Sequence, residues 1–325
     1  MARCLVTRPL PGDALQRLRA EHDVEVWEGR LPLAPHDLKG RIEEVEGLLC
    51  MLTDHIDADV IEAAPNLRAI SNYAVGTDNV DVEAATARGI PVGRTPDVLT
   101  ETTADFAFAL LLAAARRIVE GEVAVRAGDW ITWEPEGWLG HDVHGFTLGI
   151  LGLGRIGRAV ARRAEGFGMR VIHTSKSGGV PLEELLRESD FISIHLPLND
   201  DTRGLMGEDE LRAMKETAIL VNTSRGKIVD TRALETALRE GWIAAAALDV
   251  TDPEPLDPEH PLLEAPNILV VPHIASASHR TRQAMAEMAV DNLLAALRGD
   301  EMPHCANPGV QRQRRGAAPA TPPSP

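Results

Sequence analysis

The stretch "LGILGLGRIGRAVARRAEGFGMRVIHTSK", residues 148–176, decides how this chain is read. It begins as an apolar run, passes through Gly152-Leu153-Gly154-Arg155-Ile156-Gly157, and continues into an amphipathic segment of helical period. Strand, glycine turn and helix in that order form the context in which a G-x-G-x-x-G run holds a dinucleotide. Gly152 permits the tight turn, Gly154 lets backbone approach a pyrophosphate, and Gly157 lets helix and strand pack closely. The amides of Arg155 and Ile156 open the helix, where its dipole favours phosphate. Such a turn is ordinarily followed, about 20 residues on, by a carboxylate that holds the ribose hydroxyls. Here the second apolar run ends in His173-Thr174-Ser175-Lys176. Two hydroxyls and a cation suit a 2′-phosphate, so the expected cofactor is NADP(H), with NAD(H) as the alternative.

Working outward, short apolar runs alternate with amphipathic segments in two series, the pattern of parallel sheets wrapped by helices. "CLVT" (4–7), "VEVW" (24–27), "GLLCML" (47–52), "LRAIS" (67–71) and "IPV" (90–92) are the expected strands of a first unit. One long helix is expected over about 100–127, closing near Gly128. "LGILG" (148–152), "RVIH" (170–173), "FISIH" (191–195), "AILVN" (218–222), "IAAAALDV" (243–250) and "ILVV" (268–271) are those of a second. A last helix, about 279–298, has no strand after it, and periodicity alone leaves open which sheet it covers. The Pro/Ala-rich tail, 311–325, is expected to be disordered.

The chain has 325 residues, 44% of them hydrophobic, enough for two cores. Its 33 basic against 49 acidic residues give a net charge of -16, which argues against a nucleic-acid partner. Three scattered cysteines form neither a disulfide framework nor a zinc motif, and a reducing, cytoplasmic setting is expected. "FAFALLLAAA" (106–115) is too short to span a bilayer. His141 and His144 have metal-like spacing but no further ligand nearby, and no metal is expected.

Polar groups stand immediately beyond the later apolar runs: Arg225 after 218–222, Asp249 and Glu254 after 243–248, and His273 after 268–271. In an open parallel sheet the ligand crevice lies at the carboxyl ends of the strands, so these groups share an edge with the glycine turn. Arg225 offers a planar fork that can grip a carboxylate and polarise a neighbouring carbonyl. His273 can give a proton to the alkoxide that hydride addition creates, and Glu254 can orient the ring and favour its charged form.

The succession "GLGRIG", "HLPLNDDT", "NTSRGKIVD", "ALDVTDPEP" and "PHIASAS" resembles the D-isomer-specific 2-hydroxyacid dehydrogenase family over about residues 3–308. "SNYAVGTDNVDV" and "RTPDVLTETTADFAFALLL" resemble its glyoxylate/hydroxypyruvate reductase branch. The resemblance implies an α/β fold of two doubly wound parallel-sheet domains. A Rossmann nucleotide-binding domain (100–279) is inserted into a flavodoxin-like substrate-binding domain (1–99 and 280–310), to which the last helix returns. By motif, Arg225, Glu254 and His273 match the catalytic Arg, Glu and His. Val75 and Gly76 match the turn whose amides meet the substrate carboxylate, and Thr103, Pro197, Thr202, Thr223, Asp249 and Ser276 match positions that touch the cofactor. A homodimer and a small 2-oxo acid substrate, glyoxylate or hydroxypyruvate, are further implications. Ala275 departs from the pattern, standing where the family commonly has Gly, and Trp138 lies in "WEPEGWLG" at a spacing that assigns it no role.

Other D-2-hydroxyacid dehydrogenases, of D-lactate or short D-3-phosphoglycerate type, and a nucleotide-sensing corepressor-like binding module are the alternatives. Formate oxidation is disfavoured, because it makes no alkoxide and the family's formate enzymes carry Gln where Glu254 stands.

Overall fold

The computed structural model describes the backbone of residues 1–316, which divides into two compact units, 1–99 with 278–316 and 100–277. The first unit begins with β1 (Arg3–Val6), α1 (Ala14–Glu21), β2 (Asp23–Val26), α2 (Pro35–Ile42) and β3 (Gly47–Cys50). It continues through α3 (Ala58–Glu62), β4 (Ala69–Asn72), α4 (Val82–Ala87) and β5 (Val92–Gly93). All five strands are parallel in the order β2-β1-β3-β4-β5, the flavodoxin-like arrangement. β3 and β4 are buried along their whole length, which is why β3 reads as a continuous apolar run and why the polar Ser71 and Asn72 of β4 are hydrogen-bonded.

The second unit contains α5 (Thr100–Ala115), α6 (Ile118–Ala127), β6 (Thr147–Leu151), α7 (Arg155–Gly166), β7 (Arg170–Ser175) and β8 (Gly178–Gly179). After these come α8 (Leu182–Glu188), β9 (Phe191–Ile194), α9 (Glu208–Ala213), β10 (Ile219–Asn222), α10 (Thr231–Glu240), β11 (Ala245–Leu248) and β12 (Ile268–Val270). Their order, β12-β11-β10-β9-β6-β7-β8, is that of a Rossmann sheet with a two-residue antiparallel edge. Side chains alternate across it. Leu148, Ile150, Phe191, Ile219 and Val221 pack toward α5 and α7, whereas Leu151, Ile192, Ile194 and Leu220 pack toward α8, α9 and α10.

The chain returns to the first unit in α11 (His279–Arg298), which answers the question periodicity left open. Ser278 caps its start by accepting from the Thr281 amide, and its apolar stripe, including Met285, Ala289, Leu293 and Leu297, is buried. Ser71 on β4 donates to the Ala289 carbonyl at 2.7 Å, tying helix to sheet.

Three expectations change. The helix expected over 100–127 is two helices, because the carbonyl of Ala115 accepts from the His141 amide at 2.8 Å and Arg117 turns left-handed at φ 52°. β7 runs on to Ser175, carried by its pairing with β8. Residues 311–316, expected to be disordered, belong to α12 (Gly309–Gly316), which Val310 anchors by burial and Gln311 by bonding both main-chain groups of Met302. Residues 317–325 of that tail lie outside the described residues. No helix among the described residues is long and apolar enough to cross a membrane.

Phe191 is among the largest fully buried side chains and fills the layer beneath α5 and α7. Phe191→Ala should cost about 3–5 kcal/mol, read as a lowered urea midpoint at unchanged slope.

Candidate active site

The glycine turn between β6 and α7 sits where the strand order of the second sheet reverses. Gly152 adopts φ +96°, its amide donates to the Thr174 carbonyl at 3.0 Å, and a Cβ there would lie 2.7 Å from the His195 carbonyl oxygen. A Cβ on Gly157 would lie 2.2 Å from the Gly152 carbonyl oxygen, whereas one on Gly154 would meet nothing within 4 Å. The outer glycines are therefore required by protein packing, and the middle one faces open space that a pyrophosphate can enter. Gly154 caps α7 without a side chain, and the first turn, which includes Arg155 and Ile156, holds no acidic residue to compete with a phosphate. The Thr223 hydroxyl, just past β10, is buried without a hydrogen-bond partner, a group that a bound ligand can satisfy. These residues fit a dinucleotide.

Thr174 and Ser175 end β7, with Lys176 in the turn to β8. Ser175 donates to the Gly178 carbonyl at 3.0 Å, and Lys176 stands exposed with its Nζ 3.8 Å from Asp201. Beyond β9, Thr202 donates to the Pro197 carbonyl at 2.7 Å and accepts from the Asn199 amide, closing that loop on itself. Thr103 is buried in the first turn of α5, and Ser276 is half-buried before the crossing to α11.

At the far end of the sheet three loops follow β10, β11 and β12. Asn222 closes the first by donating to the Arg225 carbonyl at 2.9 Å and accepting from the Ser224 amide at 3.0 Å. Gly226 is pressed so closely on the second loop that a Cβ would lie 1.9 Å from the Thr251 carbonyl oxygen. Glu254, in that loop, meets His273, in the third, with Oε1 2.5 Å from Nδ1. A carboxylate only accepts here, so Nδ1 carries the proton and Nε2 is left for a reactant.

Residues 108–275 match the family described as D-isomer specific 2-hydroxyacid dehydrogenase, NAD binding domain. The chain is 52% identical to a glyoxylate reductase of Korarchaeum cryptofilum, covering 96% of this chain and 98% of that protein. It is 51% identical to one from Aeropyrum pernix over the same shares of each. The structure of an NADPH-dependent glyoxylate/hydroxypyruvate reductase from Sinorhizobium meliloti, in complex with NADP and malonate, superposes with a TM-score of 0.83. That pair is 35% identical and covers 94% of this chain and 97% of the other. The chain belongs to the D-isomer-specific 2-hydroxyacid dehydrogenase family. It is an NAD(P)-dependent oxidoreductase with a nicotinamide cofactor.

Asp249, expected to touch the cofactor, also stiffens the loop that carries His273. It has no exposed surface, and its two carboxylate oxygens accept from the amides of Ile274 at 2.6 Å and Ala275 at 2.9 Å. Its carbonyl accepts from His273, and its own amide donates to Asn222. Asp249 thus acts through the loop, holding His273 in the left-handed conformation (φ 52°) that a non-glycine residue otherwise avoids. Burial pushes its carboxyl above the usual range, while the two amides and His273 oppose that rise. Ala275, the departure from the family's Gly, is buried beside this clasp, so its Cβ is accommodated by the protein.

Val75 and Gly76 lie in the other unit, in the loop after β4. Their amides meet no acceptor among the described residues. Sequence reasoning singled out neither Asn222, whose only signal is a polar residue ending an apolar run, nor His195. The His195 ring shares a 2.8 Å hydrogen bond with Ser193, two residues back on the same face of β9. Burial lowers its pKa from 6.5 to about 4. The unfolded chain therefore takes up this proton below about pH 6.5 while the folded protein refuses it until about pH 4, so stability falls across that window. Between pH 7 and pH 5, His195→Gln should lose about 1–2 kcal/mol less stability than the wild type in paired urea titrations.

Proposed function

We propose that the protein reduces small 2-oxo acids to D-2-hydroxy acids, glyoxylate to glycolate and hydroxypyruvate to D-glycerate, with NADP(H) preferred to NAD(H). The observation that carries this reading is the 2.5 Å contact of Glu254 with His273, in a loop clasped by Asp249. The pair lies at the carboxyl edge that also bears the glycine turn. The names of the relatives, glyoxylate reductases at 46–52% identity, point the same way.

Gly152, Gly154, Arg155, Ile156 and Gly157 would hold the pyrophosphate, with Thr103, Pro197, Thr202, Thr223 and Ser276 along the rest of the cofactor. When bound, the nicotinamide would supply a hydride to the carbonyl carbon of the substrate. Arg225 grips the substrate carboxylate and draws electron density from the carbonyl oxygen. As the imidazolium, with Nδ1–H held by Glu254, His273 gives its Nε2 proton to the oxygen as negative charge develops there and is left as the neutral Nδ1–H ring. The amides of Val75 and Gly76 receive the substrate carboxylate in the first unit. Thr174, Ser175 and Lys176 take the 2′-phosphate.

The second unit also exposes Trp130, Ile131, Trp133 and Leu139 in succession, after the exposed Ile118, Val123 and Val125 of α6. So large an apolar run favours a homodimer joined through this unit. Free thiols at Cys4, Cys50 and Cys305 suit a reducing cytoplasm.

Glyoxylate-dependent oxidation of NADPH tests the central reading. His273→Ala should lower kcat by roughly 100- to 10,000-fold, the range for a lost general acid, and Arg225→Ala should lower kcat/KM comparably. Wild-type turnover that survives in both variants would falsify it. Lys176→Asp should raise the KM for NADPH by about tenfold or more while leaving NADH little changed; equal losses would remove the phosphate-site assignment.

A further inference from the structure

Three strand ends of the first unit are laced together by side chains under the turn at Val75-Gly76. Thr7, just past β1, donates to the Asp54 carboxylate, which also accepts from the Met51 amide at 2.7 Å in the loop after β3. Asn79, in the loop after β4, donates to the carbonyls of Met51 and Asp54, each at 3.0 Å. Its own side-chain oxygen accepts from Asn72 at 2.8 Å. Asn72, fully buried at the end of β4, also donates to the Gly76 carbonyl at 2.9 Å, while Cys50 donates to the Asn72 oxygen at 3.5 Å.

This arrangement has a directional consequence. A trans peptide points its C=O and N–H to opposite sides. With the Gly76 carbonyl drawn inward by Asn72, the following amide, that of Thr77, is turned outward. The amides of Val75, Gly76 and Thr77 all lack acceptors among the described residues. Consecutive unpaired amides make an anion-binding concavity when something holds their planes. Asn72 and Asn79 are the groups that hold this one, and neither was singled out by the sequence.

We propose that Asn72 and Asn79 are positioning residues for the substrate carboxylate. Together they fix the 75–77 turn against the 51–55 loop and add Thr77 to the amides that meet the anion. This rests on the reading of Val75 and Gly76 given under the proposed function. The carboxylate is unchanged by the reaction, so its contacts are made equally in ground and transition states, and their loss should appear in KM rather than kcat.

The test is steady-state kinetics of the full-length protein with glyoxylate and NADPH. Asn79→Ala should raise the KM for glyoxylate about tenfold, with kcat within about threefold and the NADPH dissociation constant within about twofold of wild type. Oxamate, a carboxylate that is not reduced, should weaken as an inhibitor in parallel. An unmoved KM in the folded variant overturns the proposal. So does a joint loss of kcat, KM and NADPH binding, which would mark a general structural role. If Asn79→Ala does not fold, Asn79→Ser is read on the same axes, and failure of both assigns the pair to folding and overturns the proposal. Absence of wild-type glyoxylate turnover would instead strike the functional reading itself, which separates the two failures.

Discussion

The carboxyl edge of the second unit's sheet depends on one buried carboxylate. Where parallel strands end, their backbone amides run out of ladder partners, and an unpaired buried amide is costly. Asp249 resolves this for β12 by accepting from Ile274 and Ala275 while its backbone joins Asn222 to His273. A carboxylate accepting two amides tolerates burial that would otherwise neutralise it. The same bonds fix the orientation of the His273 ring relative to Glu254. Stability of the strand ends and orientation of the His273 ring are thus one interaction, and the strain at His273 is held by it.

Asparagine does the corresponding work elsewhere. Asn222 closes the Arg225 loop after β10, and Asn72 closes the 73–79 loop after β4. Each side chain offers both a donor and an acceptor at the point where the backbone ladder stops. The two units share no motif beyond alternating strands and helices, yet both stiffen a loop at a carboxyl edge by a buried amide on the last strand residue.

Much of this was legible in the sequence. The glycine turn announced its own geometry, since glycine spacing reports backbone needs directly, and all eleven expected strands fall within a few residues of observed ones. The span of α11 was readable because its caps, Ser278 and Gly299, flank a continuous stripe. What stayed hidden depends on partners distant in sequence. The break after Ala115 needs His141, 26 residues further on, to take a carbonyl. The bonds from Asp249 to the amides of Ile274 and Ala275 could not be read either, because a carboxylate past a strand end looks the same in sequence whatever amides it meets. The Glu254–His273 pair could be foreseen only as chemistry; that the two loops meet at 2.5 Å follows from the register of β11 and β12. β8 escaped notice because two glycines carry no hydrophobic pattern.

That small strand has a consequence for how such a protein can diverge. Gly178 and Gly179 both hold positive φ, and a Cβ on Gly179 would strike the His173 carbonyl oxygen at 2.0 Å, so the hairpin's main chain is pinned by its glycines. It finishes the sheet with a rim too short to recruit a foreign strand. The side chains on its bend, by contrast, bear on nothing in the interior. If Thr174, Ser175 and Lys176 take the 2′-phosphate as proposed, preference between two coenzymes can drift through a few outward-facing substitutions while the scaffold beneath keeps its shape, which makes selectivity one of the more evolvable traits of this architecture.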